Sequence, residues 1–266
     1  MSNRFFFTGL FLIVLLFACQ EHDNQIKEPF FDHLGNQFIQ PFDGLEAFLN
    51  YQEKIENKND LQKLKSLLFT EINGNTLQSE AFLEKNGDIA KAQLHQTTTN
   101  GLQIQYTFYF LKGVLSMAVV NFNQVSKNFS YSIFFNAEQS PIATYMHRVV
   151  DAEVQGSHPW TLCKPQPWLN NIIEKSLRQL SEMQNQEGAF ELHFLGFNDA
   201  FNKKFIEFGN ANYSTNLAYI DQETLVQKIK KTPQTYQSKT FQIQFEEITE
   251  ASGFSYQLLT EIELNH

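Results

Sequence analysis

Cysteine is almost missing from this chain: Cys19 and Cys163 are the two present among 266 residues. A disulfide-dense scaffold is therefore excluded, and the fold must be held by apolar cores. Glycine (12) and proline (7) are sparse beside 27 phenylalanines, a balance that argues against a disordered chain and supplies material for packing. Basic clusters are missing too. The formal net charge is −9, and an acidic chain without a Lys/Arg stripe is poorly suited to nucleic acid or to an anionic membrane face. Gly-rich phosphate loops and the G-x-S-x-G elbow do not occur. The seven histidines are scattered with no H-x-x-x-H spacing, so neither a metal nor a cofactor is expected.

One long apolar run is present, Phe5 to Phe17 (FFFTGLFLIVLLF), following Arg4. It is shorter than the roughly 20 residues that a helix needs to cross ~30 Å of hydrocarbon. A positive residue, an apolar stretch and the small Ala18 are the three parts of an export signal. Leu16-Phe17-Ala18-Cys19 resembles the lipobox of bacterial lipoproteins, with the bulky Phe17 a departure from the common pattern. The resemblance implies cleavage before Cys19, a diacylglyceryl group on its thiol and an acylated amino terminus. Three acyl chains anchor firmly, since each buried CH₂ contributes ~0.8 kcal/mol and one chain alone is marginal. Gln20 stands where an Asp would suggest inner-membrane retention, and Glu21 and Asp23 look like the acidic start of outer-membrane lipoproteins. The expected location is thus the cell envelope, at the outer membrane. Loss of residues 1–18 leaves 248 and, with Arg4 gone, takes the charge from −9 to −10.

Residues 19–41 read as the lipidated tether. A first domain is expected over 42–150, beginning with a helix capped by Asp43 and a second short helix carrying Leu61, Leu64, Leu67 and Leu68. From Leu77 the period changes to alternation, punctuated by Asn86-Gly87, Asn100-Gly101 and Lys112-Gly113. Type I′ hairpins are expected at the Asn-Gly pairs, and six strands, near 77–85, 88–97, 102–110, 114–122, 129–136 and 142–150, should form an antiparallel meander. Ile104, Tyr106, Phe108 and Phe110 point one way, with Gln103, Gln105, Thr107 and Tyr109 opposite on a solvated face. The 114–122 strand is apolar on both faces, with Leu115, Met117 and Val119 against Val114, Ala118, Val120 and Phe122, so both faces need a cover. Residues 151–188 read as a linker and a connecting helix starting at Pro167. Residues 189–266 then run strand, strand, strand, helix (capped by Asp221), strand, strand, the element order of a small OB-like five-stranded barrel. The expected class is α+β: N-terminal helices on a six-stranded antiparallel meander, then a helix and that barrel. The combination resembles lipoproteins of Gram-negative envelopes that join hairpin meanders to a small barrel.

For chemistry, the weak candidate is Cys163 as a nucleophile with His158 as its base, which would require hydrogen-bond reach and an orienting group such as Asp151. The favoured function is non-enzymatic: a lipid-anchored binding, assembly or scaffold factor, with the membrane and other envelope proteins as partners. Alternatives are a carrier of a lipid or small hydrophobe in the meander, and a Cys163-dependent hydrolase. Cys19 is the residue assigned a job, that of lipidation.

Overall fold

The computed structural model describes residues 45–124, 127–136, 138–149, 161–163, 167–221 and 224–265. The signal sequence, Cys19, the tether, Asp43 and the linker with Asp151 and His158 lie outside the described residues. Helix α1 (Leu45–Glu56) is followed by strands β1 (Gln62–Lys65), β2 (Phe69–Glu71), β3 (Thr76–Leu83), β4 (Ile89–Thr97) and β5 (Gln103–Leu111). Next come β6 (Val114–Gln124), β7 (Lys127–Phe135), β8 (Pro141–Val149), β9 (Thr161–Cys163) and α2 (Pro167–Asn185). The chain ends with β10 (Leu192–Ala200), β11 (Lys203–Gly209), β12 (Tyr213–Ala218), α3 (Thr224–Lys231), β13 (Thr240–Thr249) and β14 (Ser255–Leu264).

Strands β3 to β8 pair each with the next, antiparallel, as the alternation predicts. The turns differ from expectation at the two Asn-Gly pairs. Only the glycines have positive φ there, Gly87 at 90° and Gly101 at 82°. Gly87 N–H returns to the Glu84 carbonyl and Gly101 N–H to that of Thr98, while Asn86 and Asn100 accept through Oδ1 from Asp88 and Leu102. These are type I turns closed by a left-handed glycine, a longer loop in which asparagine stays right-handed and serves as a side-chain acceptor. Lys112-Gly113, with both φ positive (52° and 76°), is the two-residue primed turn.

A second N-terminal helix does not form; among the described residues α1 stands alone ahead of β1. Gln62–Lys65 instead pairs with Glu80–Leu83 of β3, and Lys63 and Lys65 reach Glu80 at 2.8 and 3.4 Å. The leucines that looked like a helical stripe are divided: Leu67 is buried, whereas Leu64 and Leu68 stay largely exposed. An open sheet edge offering backbone and charge partners outweighed local helical spacing.

The sheet does not stop at the expected linker. β2 pairs with β3 on one side and with β12 on the other, through Glu71↔Tyr213 and Thr70↔Ser214. Beyond it, β12 pairs with β11, β11 with β10, β10 with β13, β13 with β14, and β14 back with β12 in parallel at Ala218↔Leu258.

Helix α2 lies across the meander. Trp168 meets Tyr131 of β7 edge-on at 5.9 Å, Ser176 bonds Tyr106 of β5, and Gln184 donates to Ser79 Oγ of β3 at 3.0 Å. Those contacts are eight residues apart, about 12 Å along a helix, while two strand spacings are about 9.6 Å. The helix therefore crosses the strands obliquely. Leu169, Ile173, Leu180 and Met183 bury its inner side with Phe108, Val120 and Ile133 in a core that continues into Phe208, Leu217 and Phe241. At roughly 1.5–3 kcal/mol for each fully buried large apolar side chain, those four positions hold the helix down.

The opposite face has its own core, of Ile55 from α1 with Tyr109, Met117, Val119, Phe134 and Tyr145. Both faces of β6 are thus packed, one under α2 and one under α1. The grouping of Leu115 with Met117 and Val119 needs correction. A register shift at Tyr109/Phe110 moves Leu115 into the α2-side core with Ala118 and Val120. The face carrying Gln103, Gln105, Thr107 and Tyr109 is not uniformly solvated either: Thr107 and Tyr109 are buried, while Gln103 is exposed.

Candidate functional site

Cys163 ends β9, where its backbone pairs with Thr144 of β8, and His147 lies three positions further along β8. Among the described residues, no group of three or more His, Cys, Asp and Glu converges. No described helix is long and apolar enough to cross a membrane.

The structure gathers functional groups elsewhere, in a cleft of about 660 Å³ between the start of the meander and the C-terminal strands. Lys65, Leu68, Thr70 and Gln78 line one side. Asn198, Phe205 and Asn216, on adjacent strands β10, β11 and β12, line another, and Glu247, Thr249, Tyr256 and Gln257 of β13 and β14 complete it. The volume is in the range of small-ligand sites.

Phe201 and Phe254 stand at its mouth. Phe201 and Asn202 form the β10–β11 turn with φ of 50° and 58°, a primed two-residue turn. Asn suits that conformation, but a bulky aromatic at positive φ is strained and rare. Yet Phe201 is 75% exposed, so no burial offsets the strain. Its ring meets Phe254 of the β13–β14 turn at 5.0 Å, and Phe254 stacks on Tyr256 at 5.8 Å. Lys203 Nζ sits 4.5 Å over the Tyr256 ring and pairs with Glu250 at 2.6 Å. The hydrogen bond to Glu250 raises the Lys203 pKa, so the ammonium stays charged above the tyrosine.

The polar lining is tied across the cleft. Lys65 and Gln78 both donate to Glu247, Gln78 Nε2 at 2.8 Å to Oε1. Burial pushes the Glu247 carboxyl up, but the two hydrogen bonds and the lysine charge outweigh it and hold the pKa below the ordinary range. Asn198 Nδ2 donates to Asn216 Oδ1 at 2.9 Å, leaving the other atom of each amide for a further partner. Gln257 is 7% exposed; its Oε1 accepts from the Leu68 amide at 3.0 Å, which fixes the side chain, and its buried Nε2 has no acceptor among the described residues. Leaving such a donor unmet costs about 1–3 kcal/mol.

None of these residues is singled out as a site residue by sequence reasoning. Alternation places Phe205, Asn198 and Asn216 on strands without saying that they face a neighbouring sheet. The one local signal is Phe201, an aromatic at a position where hairpin chemistry calls for Gly, Asn or Asp. Asp221, expected to cap α3, holds Lys204 and Lys230 with its carboxylate, and the residues between it and the helix lie outside the described residues. Those two hydrogen bonds bring its pKa down to about 2. Comparison with protein-family models, curated proteins and solved structures finds no match.

Proposed function

We propose that this chain is a lipid-anchored envelope protein that works as a binding factor, holding its ligand in the cleft between meander and C-terminal strands. The observation that carries the reading is the exposed, strained Phe201 stacked on Phe254 at the mouth of a cleft lined by tied amides. Strain kept at an exposed position points to use rather than packing. Cys19 supplies the anchor through its lipobox resemblance, the outer membrane is the location, and other envelope proteins are the working partners.

The C-terminal strands support the same reading as an OB-type barrel. The pairing order around the ring is first, second, third, fifth, fourth, with the helix between third and fourth. In that architecture the first–second and fourth–fifth loops flank the ligand face. Here those loops carry Phe201 and Phe254. The alternative of a hydrophobe carrier gains no support, because both faces of β6 are filled by α1 and α2.

The test uses a photo-crosslinking phenylalanine analogue placed at Phe201 or, as control, at the exposed Ile220, in the full chain within intact cells. The expected result is a discrete envelope adduct from position 201 and none from 220. In the same cells labelled palmitate should mark the wild type but not Cys19→Ser. No adduct at 201, or equal adducts at both positions, overturns the cleft as the binding site; palmitate on Cys19→Ser overturns the anchor.

A further inference from the structure

We infer that the ligand of this cleft is a neutral carbohydrate chain; the inference rests on the cleft being the binding site. Charge comes first. The two charged residues that line the cleft, Lys65 and Glu247, neutralise each other, and the lysine at the aromatic rings, Lys203, is matched by Glu250. No lining cation is left over for a phosphate, a sulfate or a uronate, and no lining carboxylate for a basic peptide.

Hydrogen bonding comes next. Four amides, Gln78, Asn198, Asn216 and Gln257, line the cleft, and amides offer a donor and an acceptor on one rigid plane. A vicinal pair of sugar hydroxyls presents the complementary pair. The Asn198–Asn216 bond uses one atom of each amide and fixes both, leaving one acceptor and one donor side by side. Gln257 lines the cleft with its side chain held by the Leu68 amide, while its Nε2, without an acceptor among the described residues, is buried beneath the surface.

The apolar part has the matching form. Phe201, Phe254 and Tyr256 make a run of neighbouring rings, with centroids 5.0 and 5.8 Å apart and planes turned by 44° and 28°. Flat aromatic faces accept the axial C–H face of a pyranose while its hydroxyls point to the amides. A fully apolar ligand would leave the amides unmet. An extended peptide would need a free strand edge to pair with. The β10–β13 pairing covers only Leu192–His193 with Thr240–Phe241, and the β12–β14 pairing only Ala218 with Leu258, so the peptide arm of the experiment below decides against that occupant.

The experiment is titration calorimetry on the full chain in detergent, with three arms. The first arm is neutral hexasaccharides of glucose (α-1,4 and β-1,4), xylose, mannose and N-acetylglucosamine. The second is hexagalacturonate, and the third is a mixture of unstructured decapeptides. Binding of at least one neutral hexasaccharide is expected, unchanged between 50 and 500 mM salt. It should weaken tenfold or more in Phe201→Ala and in Asn216→Ala, whose exposed side chains are not needed for folding. Binding confined to the uronate or peptide arm and lost in Phe201→Ala overturns the carbohydrate class while the cleft stands. Absence of binding in every arm, or binding indifferent to both substitutions, overturns the inference and the cleft together.

Discussion

Lys91 shows how one buried charge fixes the position of a helix. It is 7% exposed on β4, with its Nζ 2.8 Å from Glu56 at the end of α1 and 4.4 Å over the Phe82 ring. Glu56 also accepts from the Tyr109 hydroxyl at 2.7 Å, and Gln52 donates to that hydroxyl at 3.2 Å. Burial first, and then the Glu56 carboxylate, raise the Tyr109 pKa, so the phenol stays a donor throughout the physiological range. Glu56→Ala leaves the Lys91 ammonium and the Tyr109 hydroxyl without their shared acceptor. Because Glu56 is itself partly exposed and water can enter, the expected cost is about 1–2 kcal/mol rather than the larger loss of a fully buried pair. Urea unfolding checks it: the midpoint should fall with the slope unchanged, and a midpoint equal to wild type would mean that α1 docks through Ile55 and Tyr51 alone.

Elements were legible to different depths. The meander could be read from alternation because each strand keeps one apolar face for several residues, as Tyr106 and Phe108 do beside Thr107 and Tyr109. The 62–68 stretch could not, since its leucines fit a helix locally and only the edge of β3, with Glu80, decides for a strand. The cleft was illegible for a related reason: it is assembled from β1, β2 and β3 together with all five C-terminal strands, β10 to β14, and no short window contains two of its walls. Cys19 sits at the other extreme, its expected role resting on four consecutive residues. At the same scale, Gly209 shows what a corner between strands demands. It pairs with His193 of β10 and Ser214 of β12, at φ 153°, and a Cβ there would come within 2.1 Å of the Tyr213 carbonyl oxygen. That contact is with backbone and cannot relax by a rotamer change. Gly209→Ala should cost more than about 2 kcal/mol, seen as a lowered thermal midpoint, whereas Gly253→Ala, at φ 85° with open space around it, should cost less. Equal losses at the two glycines would mean that conformation rather than the backbone approach sets the penalty.

Across the whole molecule, the expected domain border is crossed by more than a connecting chain. The β2–β12 pairing is short, with Tyr213 and Ser214 opposite Glu71 and Thr70. It is reinforced where Phe190, after α2, packs edge-on against Phe69 of β2 at 4.8 Å and stacks on Tyr213 of β12 at 4.4 Å. All three rings belong to the core that runs from Ile133 of the meander to Phe241 of β13. Gln186 adds a polar tie, donating to the Ile243 carbonyl at 2.6 Å and accepting from its amide at 2.8 Å, while Lys65 and Gln78 reach Glu247 across the cleft. A core shared in this way couples the two halves: unfolding either one exposes apolar surface on the other. Scanning calorimetry of the full chain should therefore give one transition with equal calorimetric and van't Hoff enthalpies. Phe190→Ala, at about 3–5 kcal/mol for a fully buried phenylalanine, removes the central piece of that joint. It should lower the midpoint and separate the meander from the C-terminal strands into two transitions. Two transitions already in the wild type would show that the joint is an interface between independent folding units, and that the cleft can open without either half unfolding.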